Sequence, residues 1–122
     1  MAQIKTKEYL KKKRVIIPLL FLLLVFSLNL FKYEFVFCLP FNIPSNQMAA
    51  TIPPFGIFIE EQFKNENPKN PCAVINHERI HWKQYERMGL ASFYYNYLRC
   101  YINSGRFNNW MEEEARQPCS GK

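Results

Sequence analysis

The sequence contains no aspartate, only two histidines and no cysteine pair spaced as C-x-x-C. Without that spacing, a cysteine-only zinc site and a thioredoxin-like redox motif are disfavoured. Because His77 and His81 are the only histidines in the chain, any histidine-based metal site must use these two. Disulfides are expected only if the cysteines lie outside the cytosol, where three complete pairings are open to them. The four cysteines are Cys38, Cys72, Cys100 and Cys119.

Net positive charge is small outside one segment. The net charge is +6, but residues 1–14 hold six basic side chains and one glutamate, a net +5, which leaves +1 for the rest of the chain. A nucleic-acid-binding domain is recognised by a basic patch on its folded surface. We therefore expect no nucleic-acid partner and assign residues 1–14 as a basic cytoplasmic leader.

A long uncharged run follows this leader. Residues 15–31 are apolar apart from Ser27 and Asn29. As a helix they span about 25 Å, close to the hydrocarbon thickness of about 30 Å. The aromatic residues that follow extend the apolar length, so residues 15–38 are predicted to form a transmembrane anchor. Because the basic residues precede the run, the positive-inside rule places the N-terminus in the cytoplasm and the C-terminal domain outside it.

Two alternatives to a retained anchor are open. A cleavable signal peptide has the same basic start, although this apolar run is longer than usual and no A-x-A cleavage site follows it. The other alternative is a buried core helix.

The motif H-E-x-x-H occupies residues 77–81. In a helix, residues four apart lie on one face, so His77 and His81 are placed to bind a single Zn²⁺. Glu78 lies beside them as a candidate general base. The simpler alternative is two ordinary histidines on a half-buried helix.

The flanking residues predict that the motif lies in a helix. Asn70 is a good N-cap, Pro71 suits the first helical position, and Gly89 is suited to the far end. The histidines then belong to a stripe that faces the interior. Its members are Val74, His77, His81, Tyr85 and Met88.

Proline-rich sequence precedes the folded domain. Residues 39–50 are predicted to be an extended linker, and residues 51–122 the domain. Within it, residues 55–59 form a short apolar strand, either an ordinary core strand or an edge strand with which a substrate peptide pairs beside the metal cleft. A glycine there lets another backbone approach closely. The candidate substrate-binding residues are Phe55, Gly56 and Ile57.

Two further helices are expected after the motif. Residues 91–102 repeat apolar side chains at helical spacing and stop near Gly105, so this helix is expected to pack back on the first. Asn108 or Asn109 is expected to cap a last short helix over residues 110–117, which Pro118 terminates.

A catalytic zinc normally has three protein ligands and one open position, so the two histidines require a partner. Three consecutive glutamates open the last predicted helix, where acidic residues also complement the helix dipole. The candidates are Glu112, Glu113 and Glu114.

The H-E-x-x-H motif, followed after an intervening helix by Glu112-x-x-Ala115, resembles the gluzincin metallopeptidases, especially the very small members called minigluzincins. In membrane-associated gluzincins the second motif is typically E-x-x-A-D, and its first Glu is a zinc ligand. The resemblance covers roughly residues 52–117. It implies a zinc cofactor, a zincin-like fold and the ligand set His77, His81 and Glu112.

The chain departs from that family pattern in two ways. Arg116 occupies the position of the family Asp, so a metal-bound imidazole needs another acceptor: a backbone carbonyl, Asn76, Asn103 or a spare glutamate. No third histidine is available to stabilise the transition state, and its replacement is unassigned. Candidates are Tyr85, Tyr94, Tyr95, Tyr97, Tyr101 and Arg106.

Together these observations predict a mainly α, α+β chain. An N-terminal transmembrane helix precedes a small helical zincin-like domain with a short edge strand or hairpin. The expected function is a membrane-anchored zinc metallopeptidase that hydrolyses a peptide or protein substrate through a zinc-activated water, with Glu78 as base. The alternatives are a non-catalytic, zinc-stabilised membrane interaction module and an accidental motif. The presence of Glu78 favours the enzyme, because a purely structural zinc needs no carboxylate there.

Overall fold

A computed structural model describes residues 2–41, 48–105 and 109–120. The chain divides into two compact units, Met1–Lys32 and Tyr33–Lys122. The first is a single helix, α1 (Ala2–Phe31), which continues back through the basic leader. Residues Gln3–Phe31 are long and apolar enough to cross a membrane, and the same properties suit a signal sequence.

The second unit contains a three-stranded sheet. Its strands are β1 (Val36–Leu39), β2 (Ala49–Ile52) and β3 (Gly56–Glu60), in the order β1-β3-β2. β1 runs parallel to β3, and β2 runs antiparallel to it. A tight connection joins β2 to β3, closed by the Phe55 N–H, which donates to the Ile52 carbonyl at 2.9 Å. The expected mainly helical chain with a small strand component is confirmed.

Of the two alternatives for the strand predicted over residues 55–59, the structure shows the core strand and not the edge strand. β3 is the central strand, and its backbone is paired on both sides, so it offers no free edge. Gly56 does permit a close backbone approach, since a Cβ there would lie 2.5 Å from the Phe35 carbonyl oxygen. The approaching backbone belongs to the chain itself, and the Ile57 N–H donates to the same oxygen at 2.7 Å.

The folded unit begins earlier in the chain than expected. β1 lies at the end of the predicted anchor, and β2 begins within the predicted linker. Because both strands pair with β3, they belong to the domain rather than to a connection. The middle of that linker, residues 42–47, lies outside the described residues.

The motif helix, α2 (Val74–Met88), starts three residues later than predicted. Its N-cap is Ala73, whereas the Asn70 side chain accepts a hydrogen bond from the Cys72 N–H at 3.0 Å. The predicted end at Gly89 is confirmed, with φ of 86°. The predicted stripe also faces inward, since none of its five members is exposed.

Two helices follow as expected, α3 (Leu90–Ser104) and α4 (Trp110–Ser120). Asn109 caps α4, because its side-chain oxygen accepts a hydrogen bond from the Glu112 N–H at 2.8 Å. Asn108, the other predicted cap, lies outside the described residues. Pro118 does not terminate α4, which continues for two more residues.

One apolar cluster joins the sheet to all three helices of the second unit. It consists of Ile57 from β3, Trp82 and Tyr85 from α2, Phe93 from α3 and Met111 from α4. Each such side chain contributes about 1.5–3 kcal/mol when fully buried. The cluster therefore holds α4 against α2.

Candidate metal centre

Two elements of this core bring the predicted ligands together. His77 and His81 lie on α2, and Glu112 lies in the first turn of α4. The Nε2 atom of His77 is 3.0 Å from Oε2 of Glu112, and Nε2 of His81 is 3.2 Å from Oε1 of the same carboxylate. One ligand atom from each residue lies within 4.8 Å of the others. Of the three consecutive glutamates in α4, Glu112 is thus the one that faces the histidines.

The spacing and chemistry of these three side chains fit a metal ion. A tetrahedral site with bonds of about 2.0–2.1 Å places neighbouring ligand atoms roughly 3.3 Å apart. The observed separations of 3.0 and 3.2 Å are close to that value. Two imidazoles and one carboxylate suit several first-row divalent ions, zinc among them. The group is therefore a possible metal-binding site.

Gln84 orients the buried imidazole of His81. Its amide nitrogen donates to the Met111 carbonyl oxygen at 3.0 Å, which leaves the amide oxygen facing His81 Nδ1 at 2.9 Å. That oxygen can only accept, so Nδ1 carries the proton and Nε2 is free to bind a metal. Gln84 is 1% exposed, and it supplies the acceptor that the missing Asp leaves open.

The predicted acceptors do not contact His81 in this way. The Asn76 side chain donates to the Pro68 carbonyl oxygen at 2.7 Å. Glu114 contacts Gln84 and not the imidazole of His81: its carboxylate accepts a hydrogen bond from the Gln84 amide nitrogen at 3.0 Å. The sequence did contain a signal for Gln84, because it lies three residues after His81 and therefore on the same helix face.

The charges of the three candidate ligands are coupled. Burial raises the pKa of the Glu112 carboxyl, but hydrogen bonds from His77 and His81 outweigh burial, and the net pKa falls well below its usual range. Burial lowers the pKa of His81, but the hydrogen bond to Glu112, the negative charges of Glu112 and Glu78 and the hydrogen bond to Gln84 together outweigh burial and raise the pKa above its usual value. A proton on His81 and a metal ion therefore compete for the same negative carboxylate.

Glu78 is held by the edge of the sheet. The Thr51 hydroxyl, on β2, lies 2.5 Å from Oε2 of Glu78 and 3.0 Å from its backbone oxygen. Glu78 is only 7% exposed. Thr51 could not be predicted from the sequence, because it lies 27 positions from Glu78 and no local pattern links it to the motif.

The site opens into a cleft of about 480 Å³. Its walls come from the motif helix, from β2 and from α3 and α4. The predicted substrate residues on β3 are not among those that line it, which follows from the central position of that strand. The lining residues are Ala49, Ala50, Thr51, His77, Glu78, His81, Phe93, Tyr94, Tyr97, Glu112 and Arg116.

Two of the six candidates for transition-state stabilisation line this cleft. The Tyr97 hydroxyl donates to Oε1 of Glu112 at 3.1 Å, and the Tyr94 hydroxyl donates to the Pro53 carbonyl oxygen. Burial raises the pKa of Tyr94 to about 12, so it remains a proton donor at neutral pH. The other candidates are placed differently: Tyr85 lies in the core, Tyr95 and Tyr101 are exposed, and Arg106 lies outside the described residues.

Comparisons of the chain with protein-family models, curated proteins and solved structures gave no match.

Proposed function

We propose that the protein is a membrane-anchored zinc metallopeptidase with a gluzincin-like site. His77, His81 and Glu112 are its zinc ligands, and Glu78 is its general base. The observation that carries the proposal is the approach of one Glu112 carboxylate to Nε2 of both histidines, at 3.0 and 3.2 Å, inside an open cleft. Glu78 lines the same cleft, as the base of a hydrolase must.

A bound zinc ion supplies Lewis-acid polarisation of a carbonyl and lowers the pKa of water to about 7. Glu78 accepts the proton from the attacking water and later passes it to the leaving amine. Thr51 fixes the Glu78 carboxylate during these transfers, through its hydrogen bond to Oε2. Tyr97 orients Glu112 through its hydrogen bond to Oε1. Tyr94 is the candidate donor to the developing oxyanion, and to act as one its hydroxyl must exchange the Pro53 carbonyl oxygen for the oxyanion.

One observation favours a second function, a non-catalytic zinc-stabilised membrane module. The hydrogen bond between Thr51 and Glu78 ties β2 to α2, and this contact gives Glu78 a structural role that needs no chemistry. In that case the ligands stabilise the fold, and the cleft binds a partner without cleaving it.

Location outside the cytoplasm is part of the proposal. α1 has the length and composition of an anchor, and basic residues precede its apolar part. The second unit contains a disulfide between Cys72 and Cys119. Disulfides persist mainly in oxidising compartments, so this bond supports an extracytoplasmic domain.

The substitution Glu78→Gln separates the two functions. Full-length protein in detergent is incubated with an unbiased peptide mixture, and products are identified by mass spectrometry. We expect Glu78→Gln to keep its zinc and to lose about 10²–10⁴-fold of the hydrolysis rate, the usual contribution of a general base. Glu86→Gln, an exposed glutamate on the same helix, is the matched control and should retain wild-type activity.

Two results would reject the peptidase. Equal cleavage by wild type and Glu78→Gln would exclude Glu78 as the base. Zinc-loaded wild type that cleaves nothing would favour the non-catalytic module.

A further inference from the structure

An aromatic surface covers part of the sheet. Tyr33, Phe35 and Phe37 alternate along the segment that leads from α1 into β1, and their rings contact in series, with centroids 4.8 and 6.1 Å apart. Phe37 then stacks on Phe58 of β3 at 5.1 Å. The first three are 65%, 40% and 43% exposed. We call these four residues the aromatic sheet face.

The opposite face of the sheet is the one that packs on α2. Glu34 alternates with the aromatic residues, and its carboxylate lies 3.6 Å from the Arg79 guanidinium of α2. Ile57, adjacent to Phe58 on β3, is fully buried in the core with Trp82. Two-residue alternation thus divides the sheet into an α2-facing side and an aromatic side.

Three residues of the aromatic sheet face, Tyr33, Phe35 and Phe37, follow α1 closely in the chain. Only residues 32–35 separate the end of α1 from β1, and four extended residues reach at most about 14 Å. The interfacial layer of a bilayer is roughly 5–8 Å thick on each side. Tyrosine is favoured in that layer because its ring is apolar and its hydroxyl reaches water. Phenylalanine rings of interfacial segments bury at the boundary between headgroups and acyl chains.

We propose that the aromatic sheet face lies in the headgroup layer of the phospholipid bilayer that α1 crosses. The proposal rests on retention of α1, and it is independent of the metal chemistry. It adds one constraint to the proposed peptidase: α2, on the opposite side of the sheet, faces away from the lipid. The metal centre then acts on peptide segments outside the bilayer rather than within it.

A second exposed apolar surface provides the internal comparison. Tyr95, Leu98, Tyr101 and Ile102 of α3 are all exposed, and their spacing places them along one stripe of the helix. This stripe is not constrained by a short connection to α1. Its contact with lipid is therefore the competing outcome.

Depth-dependent fluorescence quenching distinguishes the two surfaces. The full-length chain is reconstituted into phosphatidylcholine vesicles, with or without bromine on the acyl chains near the headgroups. All variants carry Trp110→Phe, which leaves Trp82 as the only native tryptophan. Trp82 is 1% exposed, so its blue emission reports an intact core and sets the baseline. Phe37→Trp and Phe58→Trp probe the aromatic sheet face, and Tyr95→Trp probes α3.

We expect brominated lipid to quench most of the added emission in Phe37→Trp and Phe58→Trp, and little of it in Tyr95→Trp. Quenching of Tyr95→Trp alone would overturn the proposal in favour of the α3 stripe. Absence of quenching in all three would overturn it in favour of a surface that faces water or another copy of the chain.

The mass of the mature protein checks the premise separately, because loss of residues 1–31 would remove the anchor and refute the proposal. Zinc content measured on the same samples keeps the test distinct from the proposed function. A failed quenching test with bound zinc rejects only the membrane contact.

Discussion

Gln84 determines how His81 presents its metal-binding nitrogen. Replacement of such an acceptor typically lowers metal affinity 10–100-fold. We expect that loss for Gln84→Met, which keeps the side-chain volume while removing the hydrogen bonds to His81 and to the Met111 carbonyl oxygen. Gln117→Met, at an exposed position of α4, is the control. Zinc affinity is measured by competition with a chelating dye, and unchanged affinity in a folded Gln84→Met protein would argue against this role.

The coupled charges of His81 and Glu112 predict opposite pH dependence with and without zinc. The pKa of His81 is raised, so its contribution to the stability of the metal-free protein is present below pH 6.5 and lost as pH rises through the folded pKa. The pKa of Glu112 is lowered, so its contribution is present above pH 4.5 and lost as pH falls through the folded pKa. Zinc requires a neutral imidazole, so its affinity should rise with pH.

Unfolding followed by tryptophan emission from pH 5 to 8, in proteins that carry Trp110→Phe so that only Trp82 emits, measures this difference. The chelator-treated protein should lose stability above about pH 6.5 while the zinc-loaded protein gains it. The Glu112→Gln protein should show neither trend. If the unfolding free energy of the chelator-treated and the zinc-loaded wild type changed with pH in the same way, the coupling of the His81 and Glu112 charges would be contradicted.

At this scale, the H-E-x-x-H spacing was enough to predict that His77 and His81 share a face. The register of Glu112 came from a family resemblance, and the structure places that residue against both histidines. The predicted acceptors were a backbone carbonyl, an asparagine or a glutamate, whereas the structure places the amide oxygen of Gln84 against His81. Thr51 was missed because only tertiary packing brings it to Glu78.

Among the secondary-structure elements, α4 is joined to the rest of the second unit by a covalent link as well as by the apolar cluster. The disulfide joins Cys119, near the end of α4, to Cys72, just before α2, across a separation of 47 residues. Closing a loop of that length stabilises a fold by about 4 kcal/mol in the chain-entropy model, and measured values are commonly about 2–4 kcal/mol.

We expect the double variant Cys72→Ser/Cys119→Ser to lose about 2–4 kcal/mol of unfolding free energy. It should also bind zinc more weakly, because α4 carries Glu112. Denaturant titration of tryptophan emission, with Trp110→Phe in every protein so that only Trp82 emits, measures the first effect, and dye competition measures the second. Cys100→Ser removes a cysteine that forms no disulfide and should change neither quantity. Full stability in the double variant would show that the apolar core alone positions α4.

The helices were predictable because each carries a strong period of apolar residues and an end signal, as Gly89 and Asn109 illustrate. β1 was not, because its aromatic residues adjoin the apolar run of α1 and were assigned to the anchor. Its parallel pairing with β3 is non-local and leaves no sequence signature. Because β1 was not predicted, the central position of β3 in the sheet was not predicted either, and an edge strand remained one of the two alternatives.

At the scale of the whole molecule, the second unit is small for a domain that folds without help. Its buried apolar cluster has five members among the described residues, and domains of this size often need a disulfide or a metal for stability. A metal that binds only the folded form adds stability in proportion to the logarithm of its concentration over its dissociation constant. The same three ligands therefore matter to folding and to the proposed reaction.

The zinc content of the purified full-length chain decides whether His77, His81 and Glu112 form a metal centre. Elemental analysis should find about one zinc per chain in the wild type, as three ligands and one open position imply. His77→Ala and Glu112→Gln should lose it, while Glu113→Gln, an exposed neighbour on α4, should keep it. Unchanged zinc in both His77→Ala and Glu112→Gln, or loss in Glu113→Gln alone, would contradict the site.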